Sequence, residues 1–344
     1  MSVSTMKLRR FSRLRQLALV LLVATAGAAS ALVMSARWLW LGELAASFQW
    51  HLGLGLVLVA GACVVLRARR LATLVAVASG FLLAPELALY IGEPAAASGS
   101  PELVLVSANV LQPNRHHREI ADALLASEGD VIAVVELSKP MRAELERRLE
   151  RWPHRVFSPA GEWSEQTWGM GVFSRLPFRE GERLYLPETY APSLDLKLER
   201  DGTPLDLRVV HLPRPGAEDW RVEARNEALA ELATRLEWTG TSALVGDLNT
   251  TSTSPVFPDL LESTGLRDSR QGFGRCVSWH LRSLRYPLGI AIDHALVGRD
   301  LQVLSRETFE LPFSDHEGIR VRLALPTPRL AQARPVVDAG SASR

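Results

Sequence analysis

Residues 242–250 read SALVGDLNT, a short apolar run set directly against a glycine, an aspartate and an asparagine. The run has the length of a buried strand, and GDLN closes it in a turn whose side chains are polar. The same layout recurs along the chain. Runs at 103–106, 131–135 and 205–210 lead into Ser107-Ala108-Asn109, Glu136 and His211; Ile292 opens a run that contains Asp293 and His294; Ser314-Asp315-His316 precedes the run at 319–323. Further runs lie at 170–173 and 194–198, and the segments LDLKL and LDLRVV alternate as half-buried antiparallel strands do. Helical patterns over 115–126, 139–150, 219–236 and 255–262 interrupt only some connections. A strict βαβ repeat therefore fails, and a mixed α/β domain with partly antiparallel sheets is predicted over 102–324.

Strand ends on one edge of a core converge, so the polar residues there are candidates for a single site. Taken singly, each has an ordinary reading. Asn109 and Asn249 suit turns or helix caps, Glu136 could open the next helix, His211 could be a core histidine, and Ser314-Asp315-His316 could be a cap. Taken together, they would need six independent reasons for polar groups at the ends of apolar strands.

Outward from this domain the composition changes. The chain has 344 residues with 39 Lys and Arg against 38 Asp and Glu, yet residues 1–100 carry a balance of +6 and the remainder −5. A basic, apolar front and a mildly acidic back exclude a single soluble globule, a disordered chain and a wholly basic nucleic-acid coat protein. Segments 17–34, 48–66 and 71–91 each approach the roughly 20 residues that cross a bilayer core. The first two hold no charged residue, and Pro85 and Glu86 fall in the last turns of the third, where an acid reaches the interface.

The bases between Lys7 and Arg15, with Arg67, Arg69 and Arg70, place both of those flanks in the cytoplasm; the intervening loop has only Arg37, opposed by Glu43. The α/β domain is thus expected outside the cytoplasm, on a multi-pass anchor in the cell membrane with the bilayer as partner. Ala29-Ser30-Ala31 also offers a signal-peptide cleavage site, which would leave two spans and the same destination. Were 71–91 instead a core helix, the domain would lie inside. Residues 92–101, GEPAAASGSP, read as a linker, and 325–344 as a disordered tail.

Two cysteines, Cys63 and Cys276, make neither a disulfide framework nor a zinc-knuckle pattern, and neither ends a candidate strand. Zinc-thiolate and cysteine-nucleophile chemistry are disfavoured on that ground. No P-loop or dinucleotide glycine pattern occurs.

The ordered set SAN (107–109), VVE (134–136), GVFSRLP (171–177), VVHLPRP (209–215), GDLNT (246–250), IDHALV (292–297) and SDHEGI (314–319) resembles the motifs of the endonuclease/exonuclease/phosphatase superfamily. That superfamily includes DNase I, exonuclease III, neutral sphingomyelinases and inositol-polyphosphate phosphatases. The resemblance implies a four-layer α/β sandwich, two central mixed β-sheets flanked by helices, and phosphate-ester hydrolysis assisted by Mg²⁺ or Mn²⁺. It further implies that Glu136 is the main metal ligand, with Asn109 beside it and Asp315 near the metal. His211 and Asn249 would contact the scissile phosphate, and Asp247 would align or deprotonate the attacking water. His316, held by Asp293, would support in-line attack or stabilise developing charge. Val110-Leu111 departs from the nuclease pattern after Asn109, and Asn114 is a candidate substitute in the metal shell.

General chemistry agrees with this division. Hard divalent cations take oxygen ligands and keep several waters, so one or two carboxylates plus substrate suffice. A histidine bonded to a carboxylate has its tautomer fixed, which suits proton transfer near neutral pH. For the substrate, the −5 balance disfavours nucleic acid, although Arg275, Arg282 and Arg285 are local bases. The tether and Trp163, Trp168 and Trp279 favour a lipid, with an ordinary core reading of the tryptophans left open. The architecture also resembles bacterial membrane-anchored members of the superfamily suspected of acting on polyprenyl pyrophosphates. The expectation is a membrane-anchored, metal-dependent phosphoesterase acting on a lipid-linked phosphate or pyrophosphate. A nuclease and an inert membrane-tethered interaction module are the alternatives.

Overall fold

The computed structural model describes residues 3–92, 100–159, 168–185, 192–216, 219–281 and 288–326. Four helices come first: α1 (Val3–Met34), α2 (Trp40–Ser47), α3 (Gln49–Val65) and α4 (Arg69–Ala88). The domain then runs β1 (Glu102–Asn109), α5 (His117–Ala126), β2 (Val131–Leu137), α6 (Lys139–Arg148), β3 (His154–Ser158), β4 (Gly169–Ser174), β5 (Phe178–Tyr185), β6 (Pro192–Arg200) and β7 (Thr203–His211). It continues through α7 (Asp219–Arg235), β8 (Ser242–Asp247), α8 (Val256–Thr264), β9 (Arg267–Asp268), β10 (Trp279–His280), β11 (Gly289–Ile290), β12 (Asp293–Val297), β13 (Gln302–Glu310) and β14 (Glu317–Ala324).

Two six-stranded sheets result, ordered β13-β14-β1-β2-β4-β3 and β5-β6-β7-β8-β12-β9. Within them β1/β2 and β7/β8 pair parallel, and the other neighbours pair antiparallel. Side-chain parity explains why the sheets stack. Leu103 and Leu105 of β1 join Leu205, Leu207 and Val209 of β7 and Ala243 and Val245 of β8 in one core between the sheets. Alternate residues turn the other way: Val106 and Ala108 pack on α5 and α6, while Val210 and Leu244 pack on α7 and α8. Strands buried on both faces account for the nearly continuous apolar runs, and the expected four-layer sandwich is what forms. Leu325 is buried and its N–H donates to the Pro101 carbonyl, so the core runs one residue past 324. Residues 93–99 of the expected linker and 327–344 of the expected tail lie outside the described residues.

Among the front helices, Arg13–Met34 and Arg69–Ala88 are long and apolar enough to cross a membrane, and α2 with α3, bent by 73°, make a third such unit if counted as one. Antiparallel α3 and α4 are joined by Gln49 donating to the Leu82 carbonyl (2.9 Å) and the Ser79 hydroxyl donating to the Gly53 carbonyl (2.8 Å). Gly53 permits this approach, because a Cβ there would fall 2.7 Å from a Leu83 methyl. At one end Arg15 Nε donates to the Leu66 carbonyl, setting Arg15 of α1 against the α3–α4 turn.

The opposite end docks on the α/β domain through three ion pairs: Arg37–Asp259 (2.9 Å), Glu43–Arg225 (2.7 Å) and Glu86–Arg275 (2.6 Å). Arg37 and Glu43, which balance one another in charge between the first two apolar segments, both reach across to the domain. Gln271 donates to the Ala88 and Ile91 carbonyls, and the Gly272 and Gly274 amides donate to the Leu89 carbonyl.

Candidate active site

At one edge of the inter-sheet layer the apolar parity continues into polar side chains. Leu103 and Leu105 give way along β1 to Ser107 and Asn109; Leu207 and Val209 give way along β7 to His211; Ala243 and Val245 give way along β8 to Asp247. On β12 the same face runs from Val297 and Ala295 to Asp293. Pairing then sets His211 and Asp293 on either side of Asp247.

Glu136 arrives by a different route. In an unbroken β2 it would share the outward face of Ile132 and Val134. The register breaks between Val135 and Leu137, Glu136 takes φ 52°, and Leu137 occupies the helix-side core in its place. This bulge re-aims the carboxylate into the site. Helix α6 does not need the acid, because the Ser138 side chain caps it by accepting from the Met141 amide.

Gly246 has φ +131°, and a Cβ there would lie 1.9 Å from the Val210 carbonyl oxygen, so glycine is what lets β8 pass β7 before the turn. Asn249, at φ 48°, then donates through Nδ2 to the Leu212 carbonyl (2.8 Å), while its amide donates to Asp247 Oδ1 (2.9 Å). His316 is placed by the 278–280 segment. Trp279 bridges to it, the Glu317 amide donates to the Ser278 carbonyl, and the Ser278 hydroxyl accepts from the Asp293 amide.

The resulting cluster is tight. Asn109 Nδ2 donates to Glu136 Oε1 (2.9 Å) and to Asp247 Oδ2 (3.1 Å). His211 Nε2 lies 3.6 Å from Glu136 Oε1 and 3.9 Å from Asp247 Oδ2. His316 Nδ1 bonds Asp293 Oδ2 at 2.8 Å, and its Nε2 lies 3.8 Å from Asp247 Oδ2. Burial and the neighbouring Asp293 carboxylate push Asp247 up to about 8. Burial alone would lower His316, but the bonded Asp293 carboxylate outweighs it and raises the imidazole to about 10. Enclosure holds His211 below the ordinary histidine value, although the Glu136 charge opposes this.

These residues fit a hard divalent cation. Glu136, His211 and Asp247 offer atoms within 4.8 Å of one another, as do Asp247, Asp293 and His316. Three buried carboxylates converge there, and Asp293 Oδ1 has no hydrogen-bond partner. Hard divalent cations take carboxylate oxygens such as these, which suits Mg²⁺ or Mn²⁺.

The remaining expectations divide. Asn109 is inside the cluster but presents an N–H to the carboxylates, its Oδ1 accepting from the Leu111 amide (3.1 Å). Asp315 stands apart from both ligand groups, with Oδ2 accepting from the Trp279 indole (3.3 Å). Asn114 serves its own loop, donating to the Pro312 carbonyl and accepting from the His116 amide. Beside it a cleft of about 680 Å³ opens between the 113–116 and 312–316 loops and ends at His316. Arg275, expected as a local base for a polyanion, is paired with Glu86 and lies over the Trp50 ring. Trp168 is exposed, Trp279 is partly buried, and Trp163, Arg282 and Arg285 lie outside the described residues.

Sequence reasoning missed Arg225. It sits fully buried on α7 with Val222, Leu229 and Leu232, and its guanidinium donates to the Asn249 carbonyl (2.9 Å). The signal was present: at the spacing 222, 225, 229, 232 a lone arginine occupies an apolar stripe.

Comparison with known proteins gives one family. The model of the Endonuclease/Exonuclease/phosphatase family matches residues 105–316. The curated proteins give no match to this chain. Among solved structures, the endonuclease/exonuclease/phosphatase from Beutenbergia cavernae is similar at 21% identity, with 67% of this chain and 73% of that one covered and a TM-score of 0.54. Humanized D. rerio TDP2 is similar at 18% identity, covering 64% of this chain and 98% of that one with a TM-score of 0.51. The corresponding protein from Bacteroides vulgatus is similar at 16% identity, covering 65% and 99% with a TM-score of 0.52. Identities this low bear on fold alone, whereas the family model covers well over half of the sequence. The chain belongs to the Endonuclease/Exonuclease/phosphatase family, whose members are generally metal-dependent phosphoester hydrolases.

Proposed function

We propose that this chain is a membrane-anchored, divalent-metal-dependent phosphoesterase, that its catalytic domain faces outside the cytoplasm, and that its substrate is a lipid-linked phosphate or pyrophosphate. One observation carries the reading: the loop that follows Asp247 and Asn249 rests on the anchor, with the Thr253 hydroxyl donating to the Ala46 carbonyl (2.6 Å). A site built against apolar helices is suited to a phosphate whose other end lies in a bilayer. The external placement is supported by Arg15, which meets the α3–α4 turn with its Arg67, Arg69 and Arg70 at the far end of those helices.

In this reading Glu136, with Asp247 and His211 close by, would hold the cation, which when bound supplies charge neutralisation for the phosphate oxygens. Asp247 as the carboxylate accepts the proton of the attacking water, and Asn249 fixes that carboxylate by its backbone amide. His316, kept protonated by Asp293, donates to the oxygens that gain charge, and His211 contacts the phosphate from the other side.

The test is release of phosphate or alcohol by the full chain in micelles from DNA, phospholipids and polyprenyl pyrophosphates, with and without Mg²⁺. Metal-dependent release from a lipid substrate is expected. Preference for DNA would replace the lipid reading with a nuclease, a possibility kept in view by the D. rerio TDP2 structure with single strand DNA product. A fluorescent reporter fused after residue 99 should stay dark if it folds only in the cytoplasm; bright fluorescence would overturn the external placement.

A further inference from the structure

The anchor does more than sit beside the domain. Arg225 donates to the Asn249 carbonyl (2.9 Å), to Glu43 Oε1 (2.7 Å) and to Asn226 Oδ1 (2.7 Å), and both Arg225 and Glu43 are buried. The Ser254 hydroxyl donates to the same Glu43 oxygen, and Thr253 donates to the α2 backbone at Ala46. Segment 249–254 is therefore clamped at both ends, and at each end the clamp leads to α2. Its first residue is Asn249, whose amide holds Asp247 and whose side chain holds the backbone next to His211.

From this geometry we infer that α2 completes the active site: Glu43 is a positioning residue that fixes Arg225 and, through it, the Asp247–Asn249 turn. The inference rests on the proposed hydrolase reading for its kinetic consequence, but not for its structural one. An arginine buried without a carboxylate partner is strongly disfavoured, so the guanidinium keeps its place only while α2 is docked. The anchor would then be required for turnover even where no membrane is present. The exposed Arg37–Asp259 pair crosses the same interface without touching the catalytic turn, and it supplies the control.

The experiment uses the full chain in detergent micelles with Mg²⁺ and the water-soluble diester bis(p-nitrophenyl) phosphate, so that access to a lipid plays no part. Glu43→Ala should lower kcat by about 100-fold with KM little changed, the size of loss that a small misplacement near the chemistry produces. Glu43→Gln, which keeps an acceptor, should lose less, and Arg37→Ala should match the parent. The paired variant Glu43→Leu with Arg225→Met removes both buried charges and guards against simple unfolding. It should melt near the parent temperature yet keep the low kcat, because nothing then holds the Asn249 carbonyl. Amide hydrogen exchange over residues 248–257 should accelerate about tenfold in Glu43→Ala and in the paired variant, but not in Arg37→Ala. Parental kcat or parental exchange in the folded paired variant would overturn the inference. If the parent hydrolyses no phosphoester, the functional reading fails, and exchange alone decides the positioning role.

Discussion

His294 follows Asp293 on β12, is buried, and bonds the Thr250 carbonyl through Nε2 at 2.8 Å. Its Nδ1 is buried with no partner, so a second proton there would have no acceptor. Burial, reinforced by the Arg270 charge, lowers this imidazole to about 4 from an ordinary 6.5. The folded chain therefore refuses a proton that the unfolded chain accepts below pH 6.5. The stabilisation is fully present above that pH and is lost as pH falls toward 4. At about 1.4 kcal/mol per tenfold change in proton affinity the displacement corresponds to roughly 3 kcal/mol, most of it expressed between pH 7.5 and 4.5.

His294→Gln keeps a donor for Thr250 and cannot titrate in this range. Melting of parent and variant in micelles, followed by tryptophan fluorescence, gives the assay, since every other titrating group is common to both. The parent should lose roughly 5–10 °C more than the variant between pH 7.5 and 4.5. Parallel melting curves for the two proteins across that range would refute the assignment of His294 as a buried neutral group.

Glu136→Gln should abolish Mg²⁺-dependent turnover while leaving the melting temperature within a few degrees, because the bulge that aims the side chain does not depend on its charge; turnover measured against Mg²⁺ concentration checks this. His316→Ala should cost several orders of magnitude in kcat, and adding Asp293→Ala should cost little more, as expected of groups that act as one; additive losses in the double variant would separate them. Gly246→Ala should destabilise the domain by about 3 kcal/mol, since the backbone is strained for any side chain and the new methyl strikes the Val210 carbonyl; its melting curve would show the loss.

Most of the central sheet structure was legible in the sequence because its strands are buried on both faces. The strands that escaped are informative in the same terms. HRVFS (β3), FREGERLY (β5) and QVLSRETFE (β13) are edge strands, and their charges, which mask the apolar period, also keep the edges from pairing with other chains. The clustering of polar side chains was readable where they simply continue an inward-facing parity, as at Asn109, His211, Asp247 and Asp293. Asp315 entered through the family resemblance and Asn114 as a substitute for a departing motif position; in the structure Asp315 accepts from Trp279 and Asn114 accepts from the His116 amide. Glu43 was read as part of a loop because its partner lies 182 residues away, a separation that no local pattern conveys.

The bulge at Glu136 also bears on how easily this protein could change its role. Removing a single codon there would restore an even ladder between β2 and β4, while the apolar faces of the two sheets stayed matched elsewhere. The product would keep its fold, its front helices and their contacts with the domain, and would lack the acid that the proposed chemistry uses. If the proposed activity holds, the smallest in-frame deletion that genetics allows would separate it from the architecture, a one-step path from hydrolase to scaffold.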